Sequence, residues 1–272
     1  MTEDLFQPWL RRWRLTADGE GFVTAFHSHL LPVLTAEGEP AMLKLALNQE
    51  EREGARLMAW YGGLGAARVL AHAPEALLLE RAMGRRSLRE MAQSGQDDAA
   101  SAVICQVIAA LHAPRAQAAP AMLAPLPAWF RQLEPAAAAH GGVLAQAAVA
   151  AKRLLAAPRE PAVLHGDIHH DNILDGGPRG WLAIDPKGLR GEAAYDYANL
   201  FCNPDLTTAT APGRLARRVA VVAAAAGIEP RRLLTWVLAY AGLSAAWTIG
   251  HGDDPALALA VAAIAAAELA AG

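Results

Sequence analysis

The sequence predicts an α+β protein of two lobes, a small one built on an antiparallel sheet with one helix and a larger one that is mostly helical. Three observations predict it. Short apolar runs bounded by turn residues crowd residues 13–82, the pattern of strands. Long apolar stretches at helical spacing fill most of residues 97–271. Set among them, Val163-Leu164 and Trp181-Leu182-Ala183-Ile184 are two further brief apolar runs, each leading into polar residues.

That last pair carries the chemistry. The first run continues as His165-Gly166-Asp167-Ile168-His169-His170-Asp171-Asn172-Ile173-Leu174-Asp175, and the second ends on Asp185-Pro186-Lys187. Gly176–Gly180 reads as a turn between two antiparallel strands. A hairpin from Asn172 to Asp185 therefore brings its two polar ends together, with Asp167 on the loop beside them. Magnesium takes oxygen ligands and keeps positions open for phosphate oxygens, a role that suits Asn172 and Asp185. Asp167 stands free to orient or deprotonate a hydroxyl. Transfer of phosphate from a magnesium nucleotide needs this set. Two other readings of the stretch are a zinc cluster of a hydrolase, using His165, Asp167, His169 and His170, and an Asp-rich surface turn. The zinc cluster leaves Asn172 and Asp185 without a role.

The spacing D-x-x-x-x-N followed by a second Asp resembles that of protein kinases. The wording of 165–172, with Ile184-Asp185-Pro186-Lys187, is similar to the aminoglycoside phosphotransferases, and within them to the streptomycin 6-kinase and hydroxyurea phosphotransferase branch. The resemblance implies a protein-kinase-like fold with a nucleotide-binding N-lobe at 1–84 and a catalytic, acceptor-binding C-lobe at 85–272. It implies ATP and Mg2+ as cofactors, Asp167 as catalytic residue, and Asn172 and Asp185 as metal ligands. The acceptor it implies is a small molecule, streptomycin first, with hydroxyurea or a metabolic sugar or amino alcohol as alternatives. A non-catalytic nucleotide-binding protein is a further alternative, and the intact Asp167, Asn172 and Asp185 speak against it.

Taken in order, Trp9–Arg14 predicts a short element over the first sheet, and 13–26 predicts a hairpin with its tip at Ala17–Gly21. No G-x-G-x-x-G is present, a departure from the protein-kinase pattern. Residues 29–35 and 41–47 form a second hairpin across Ala36–Pro40, with Lys44 inside an apolar strand. A lysine there calls for a partner, or it is an edge lysine whose head escapes to water. Under the resemblance Lys44 holds nucleotide phosphates and a helix Glu fixes it. Gln49–Glu53 opens that helix, and Glu53 shares a face with Leu57, so Glu53 is expected as the partner, ahead of Glu50. Strands at 67–71 and 76–82 complete the sheet. The resemblance places Glu80 to Ala82 against adenine through backbone groups, with Met83–Arg86 as the linker.

Ser87 with Glu90 reads as a capping box. Asp97–His112 is an amphipathic helix with Val103, Ile104, Val107, Ile108 and Leu111 on one face, followed by a long connection at 113–127. Helices are expected at 128–133, 143–156, 215–226, 231–249 and 255–271. A helix starts near Ala193 after a Gly-rich loop, and its Asp196, by the resemblance, holds the loop at 165–172. Trp236, Tyr240 and Trp247 are expected in the core. Lys187 adds charge near the phosphates. Streptomycin carries two guanidinium groups, and the candidate carboxylates for such a cation are Asp171, Glu192, Asp253 and Asp254, each of which reads more readily as a solvated surface charge.

Of 272 residues, 54% are hydrophobic and 19% charged, which excludes a disordered chain. A net charge of −3 lends nothing to nucleic-acid binding. The acidic start lacks the basic and apolar regions of a signal peptide. Residues 256–272 fall short of a membrane span. Cys105 and Cys202 stand apart, as core thiols do. The cytoplasm is the expected compartment, and a bacterial one by the resemblance.

Overall fold

The computed structural model describes residues 2–23 and 29–271. Helix α1 (Thr2–Trp13) lays Phe6, Trp9, Leu10 and Trp13 against the outer face of the first sheet. Strands β1 (Thr16–Ala17) and β2 (Phe22–Val23) both pair with β3 (His29–Leu34), through Thr16 opposite Leu34 and Phe22 opposite Leu30. They are therefore one interrupted edge strand rather than the two arms of the expected hairpin. Asp18 keeps the interruption on the ladder, donating its N–H to Pro32 O at 2.9 Å while its carboxylate pairs with Arg81. The expected strand residues Thr24–Phe26 lie outside the described residues.

β3 turns at Gly38 into β4 (Pro40–Leu45), the middle strand of the order β1-β3-β4-β6-β5. Helix α2 (Gln49–Tyr61) follows, with Asn48 accepting the Glu51 N–H as N-cap and Gly62 closing it in the left-handed region. Strands β5 (Val69–Ala73) and β6 (Ala76–Glu80) complete the sheet as a hairpin. Leu57, Met58 and Tyr61 of α2 enter the large core shared with the helices that follow.

Helix α3 (Leu88–Gln93) is capped by Ser87, and α4 (Asp97–His112) buries Ile104, Val107, Ile108 and Leu111. A connection then leads to β7 (Ala124–Pro125), α5 (Leu126–Trp129), α6 (Leu133–His140) and α7 (Gly142–Ala156). Strand β8 (Pro161–Leu164) leads into His165, β9 (Ile173–Asp175) and β10 (Trp181–Ala183) form the expected hairpin, and β11 (Leu189–Glu192) lies between β8 and β7. Where a helix was expected from Ala193, β11 gives way to two 3₁₀ turns, Ala193–Tyr197 and Asn199–Cys202.

Four helices close the larger part: α8 (Leu206–Ala209), α9 (Arg214–Ala226), α10 (Pro230–His251) and α11 (Ala256–Ala271). α10 is long and apolar enough to span a bilayer, but two thirds of its most apolar window is buried against its own neighbours. Trp236 and Tyr240 on it are core residues, and half-buried Trp247 meets Trp129 edge to face. Cys105 and Cys202 are buried thiols, and burial pushes both up to about 12.

Candidate active site

The loop between β8 and β9 is held from behind. Asp196 accepts the N–H of His165 and of Gly166, each at 2.8 Å, and His112 Nε2 at the same distance. It thus ties the loop down, as the resemblance implied. His165 is fully buried; its Nε2 donates to Ile184 O at 2.8 Å and its Nδ1 accepts the Asp167 N–H at 3.2 Å. Those two contacts define the neutral tautomer, and burial keeps it neutral by lowering its pKa. His165 therefore clamps the loop to the strand that leads into Asp185.

Asp167, Asn172 and Asp185 converge as the spacing predicted. Asn172 Nδ2 donates to the Asp167 backbone carbonyl at 2.9 Å and to Asp167 Oδ2 at 3.2 Å. Its amide oxygen is the atom left for a cation. Ile184 N–H donates to Asn172 O at 2.9 Å, which fixes Asp185 at the far end of the hairpin. Asp185 has φ +59°, a left-handed conformation that costs a non-glycine residue energy and that surrounding contacts must hold. Its Oδ1 accepts Lys44 Nζ at 2.7 Å, and its side chain is 38% exposed.

Lys44 is 8% exposed, and the carboxylate of α2 that comes nearest it is Glu51, at 3.9 Å. This corrects the expectation for Glu53. Two residues apart on a helix is a rotation of about 200°, so the two acids face opposite ways. Glu53 accepts Gln49 Nε2 at 2.7 Å and lies over Gly188. The Leu57 side of α2 points into the large core, and Lys44 approaches from elsewhere. Glu50, the second choice, accepts Lys187 Nζ at 2.7 Å. Lys187 stands 3.8 Å from Asp167 Oδ2, and although burial opposes its charge, Asp167 and Glu50 hold its pKa up. α2 reaches this site because residue 54 is glycine: a Cβ there would stand 2.4 Å from Pro186 O.

At the linker, the Glu80 carboxylate accepts the Arg68 N–H at 2.7 Å and pairs with Arg179. The Glu80 N–H donates to Arg68 O and that of Arg81 to Pro40 O, and Ala82 follows beyond this ladder. Sequence reasoning missed Asp175, which holds the next turn of chain. Arg86 grips its carboxylate with two bonds of 2.8 Å, and the Gly84 N–H donates to its carbonyl. Arg86 holds the Asp175 carboxyl well below the usual range. A Cβ on Gly84 would fall 2.0 Å from the Asp175 carboxyl carbon. An acid followed by glycines looks like a plain turn, and nothing local signals its distant arginine.

Of the candidate carboxylates for a cationic acceptor, Glu192 is neither a surface charge nor free to meet a cation. It is 2% exposed and is held by Arg232, Trp236 Nε1 and the Arg159 N–H. Burial opposes its charge, but Arg232 and these donors lower its pKa overall. Asp171 is forked onto Arg89, which lowers its pKa and also reaches Pro204 O. Asp254 accepts the Ala256 N–H at the start of α11, beside exposed Asp253. The zinc reading fails on direction. His165 points to a carbonyl, and His170 is buried beside Arg218, where burial and the two guanidiniums of Arg218 and Arg214 push it down to about 3.

The family model described as aminoglycoside/hydroxyurea antibiotic resistance kinase matches residues 12–252. The chain is 53% identical to the streptomycin 3''-kinase of Klebsiella pneumoniae over 89% of its own length and 92% of that protein. It is 32% identical to the streptomycin 6-kinase of Streptomyces glaucescens, covering 93% of this chain and 85% of that one. The same architecture recurs in the aminoglycoside phosphotransferase APH(3'')-Id of Streptomyces rimosus, solved with ADP and streptomycin. There the TM-score is 0.58 at 19% identity, over 89% of this chain and 98% of that one. The chain is a kinase of protein-kinase-like fold and belongs to the aminoglycoside/hydroxyurea antibiotic resistance kinase family.

Proposed function

We propose that this kinase transfers the γ-phosphate of ATP to a hydroxyl of streptomycin, at the 3'' position. The observation that carries the chemistry is the convergence of Asp167, Asn172 and Asp185 within one hydrogen-bonded loop and hairpin. The acceptor rests on the 53% identity to a streptomycin 3''-kinase. Hydroxyurea, in the description of the family, is the second acceptor.

Asp167 is the acceptor-side base. Its carboxylate orients the hydroxyl and takes its proton as the new oxygen–phosphorus bond forms. The bond from the γ-phosphorus to the bridging oxygen breaks, and its electrons leave on ADP. Lys44 holds the α- and β-phosphates, with Glu51 behind it, and Lys187 adds positive charge beside Asp167. The backbone at Glu80 to Ala82 faces adenine, and the boundary between nucleotide and acceptor lobes falls near residue 84. The donor set fits Mg2+: a partly exposed carboxylate at Asp185 and an amide oxygen at Asn172 are hard oxygen ligands. When bound, the ion neutralises phosphate charge. The enzyme works where ATP is supplied, in the cytoplasm.

An ADP-release assay on the purified protein, run with streptomycin, hydroxyurea and a neutral sugar, tests the acceptor. Saturable ADP release with streptomycin alone is the expected result. ADP release with the sugar or hydroxyurea but none with streptomycin would assign another acceptor.

A further inference from the structure

We propose that Asn199 is a positioning residue for the base, and that Asn203 sets the direction in which its amide works. The inference rests on the reading of Asp167 as the acceptor-side base.

Asp167 is gripped at both oxygens by side-chain amides. Asn172 Nδ2 lies 3.2 Å from Oδ2, and Asn199 Nδ2 lies 3.0 Å from Oδ1. Asn172 belongs to the loop motif itself. Asn199 arrives on a separate 3₁₀ turn, is 5% exposed, and meets Asp167 as its one side-chain acceptor among the described residues.

An amide has two ends of similar shape, and only the NH2 donates. The surroundings decide which end of Asn199 faces the base. Asn203 Nδ2 donates to the Asn199 backbone carbonyl at 3.0 Å, and a carbonyl can only accept. This fixes the NH2 of Asn203 toward Asn199. The same NH2 reaches Asn199 Oδ1 at 3.1 Å, so the oxygen of Asn199 must turn that way and its NH2 must turn to Asp167.

Asn203 is anchored in turn. Its carbonyl accepts Arg214 Nη2 and Arg218 Nη1, both at 3.2 Å. Both guanidiniums are buried on Asp97. A one-way chain of donors thus runs from a buried ion cluster to the base. It holds the plane of the Asp167 carboxylate from two sides, while the side chain keeps 27% exposure toward the acceptor. A base misplaced by a fraction of an ångström loses rate without losing nucleotide affinity.

The test uses the full chain with ATP and streptomycin. Asn199→Asp is nearly isosteric and still accepts from Asn203, but it turns an acceptor toward Asp167. The Asp167 carboxylate thereby loses its second amide donor and meets a like acceptor instead. At neutral pH kcat falls roughly 10–100-fold while KM for ATP stays within about twofold. Asn203→Asp leaves Asn199 itself in place, frees its amide to reverse, and lowers kcat with KM for ATP again near wild type. Melting curves establish that each variant is folded, and if Asn199→Asp does not fold, Asn203→Asp alone decides. Asp167→Asn is measured in parallel. If Asp167→Asn is inactive and the folded variants keep wild-type kcat, or if KM for ATP rises in step with the loss of kcat, Asn199 has no positioning role. If Asp167→Asn stays active, the base assignment fails first and takes this inference with it.

Discussion

Asp185 is a non-glycine residue held at φ +59°, with one carboxylate oxygen on Lys44. A carboxylate in such a position must be supported from outside its own turn, here by Lys44 and by the His165 clamp on Ile184 O. Asp185→Ala removes the charged oxygen proposed for magnesium and is expected to lower magnesium-ATP affinity or turnover by at least roughly 10–100-fold, the range seen for residues that merely support a metal ligand. Asn172→Ala loses less, because an amide does not neutralise the cation. Calorimetry with magnesium-ATP, beside turnover, checks the order of the two. The Lys44 partner is tested the same way. Glu51→Gln raises KM for ATP about fivefold, the ratio that ~1 kcal/mol of ion pairing gives. Glu53→Gln leaves it near wild type; equal effects of the two would contradict the geometry around Lys44.

At the scale of elements, Glu192 joins β11 to α10 and to the connection between α7 and β8 through Arg232, Trp236 and the Arg159 N–H. Removing the charge of one partner in a buried pair is costly, so Glu192→Gln lowers unfolding free energy by about 3 kcal/mol. KM for streptomycin stays unchanged, since both carboxylate oxygens are already taken by Arg232, Trp236 Nε1 and the Arg159 N–H. Urea unfolding and steady-state kinetics on one preparation separate the two effects. This residue marks where the sequence stopped being legible. The meeting of Asp167, Asn172 and Asp185 could be read because they sit at short fixed distances along one stretch, and a hairpin needs only local turn chemistry to close; Asp196 was legible only through the family resemblance. The role of Glu192 depends on an arginine forty residues away, and a lone acid near a glycine carries no mark of it. Glu51 and Glu53 were confused because periodicity gives the face of a helix but not its rotation against the sheet. That rotation is set here by the contact of Gly54 with Pro186. The edge strand at 16–23 was read as a hairpin because Asp18-Gly19-Glu20-Gly21 has turn composition; the ladder to β3 uses it as an interruption.

Across the whole molecule, the sheet-bearing part and the helical part are joined by backbone as well as by core. Ala67 N–H donates to Ala183 O at 3.0 Å and Ala183 N–H to Gly65 O at 2.9 Å, so the hairpin carrying Asp185 is stitched to the chain entering β5. Stability of the whole is tied to protons at His170. Its folded pKa, about 3, lies below the ordinary value of about 6.5. The folded state thus excludes a proton that the unfolded chain binds. Its contribution is full above pH ~6.5 and is lost as pH falls toward 3, at up to ~1.4 kcal/mol per pH unit. Melting temperatures taken from pH 7.5 downward should fall through this window, and His170→Gln should flatten the slope there; an unchanged slope would remove His170 from the buried cluster. The most direct measurement of the central claim is phosphorus NMR of the product formed from ATP and streptomycin by the wild-type chain and by Asp167→Asn. Wild type should yield one phosphomonoester coupled to the proton at the 3'' carbon, and folded Asp167→Asn, still binding ATP, should yield almost none. An ester at another position would overturn the acceptor assignment, and full product from Asp167→Asn would contradict the role of its carboxylate.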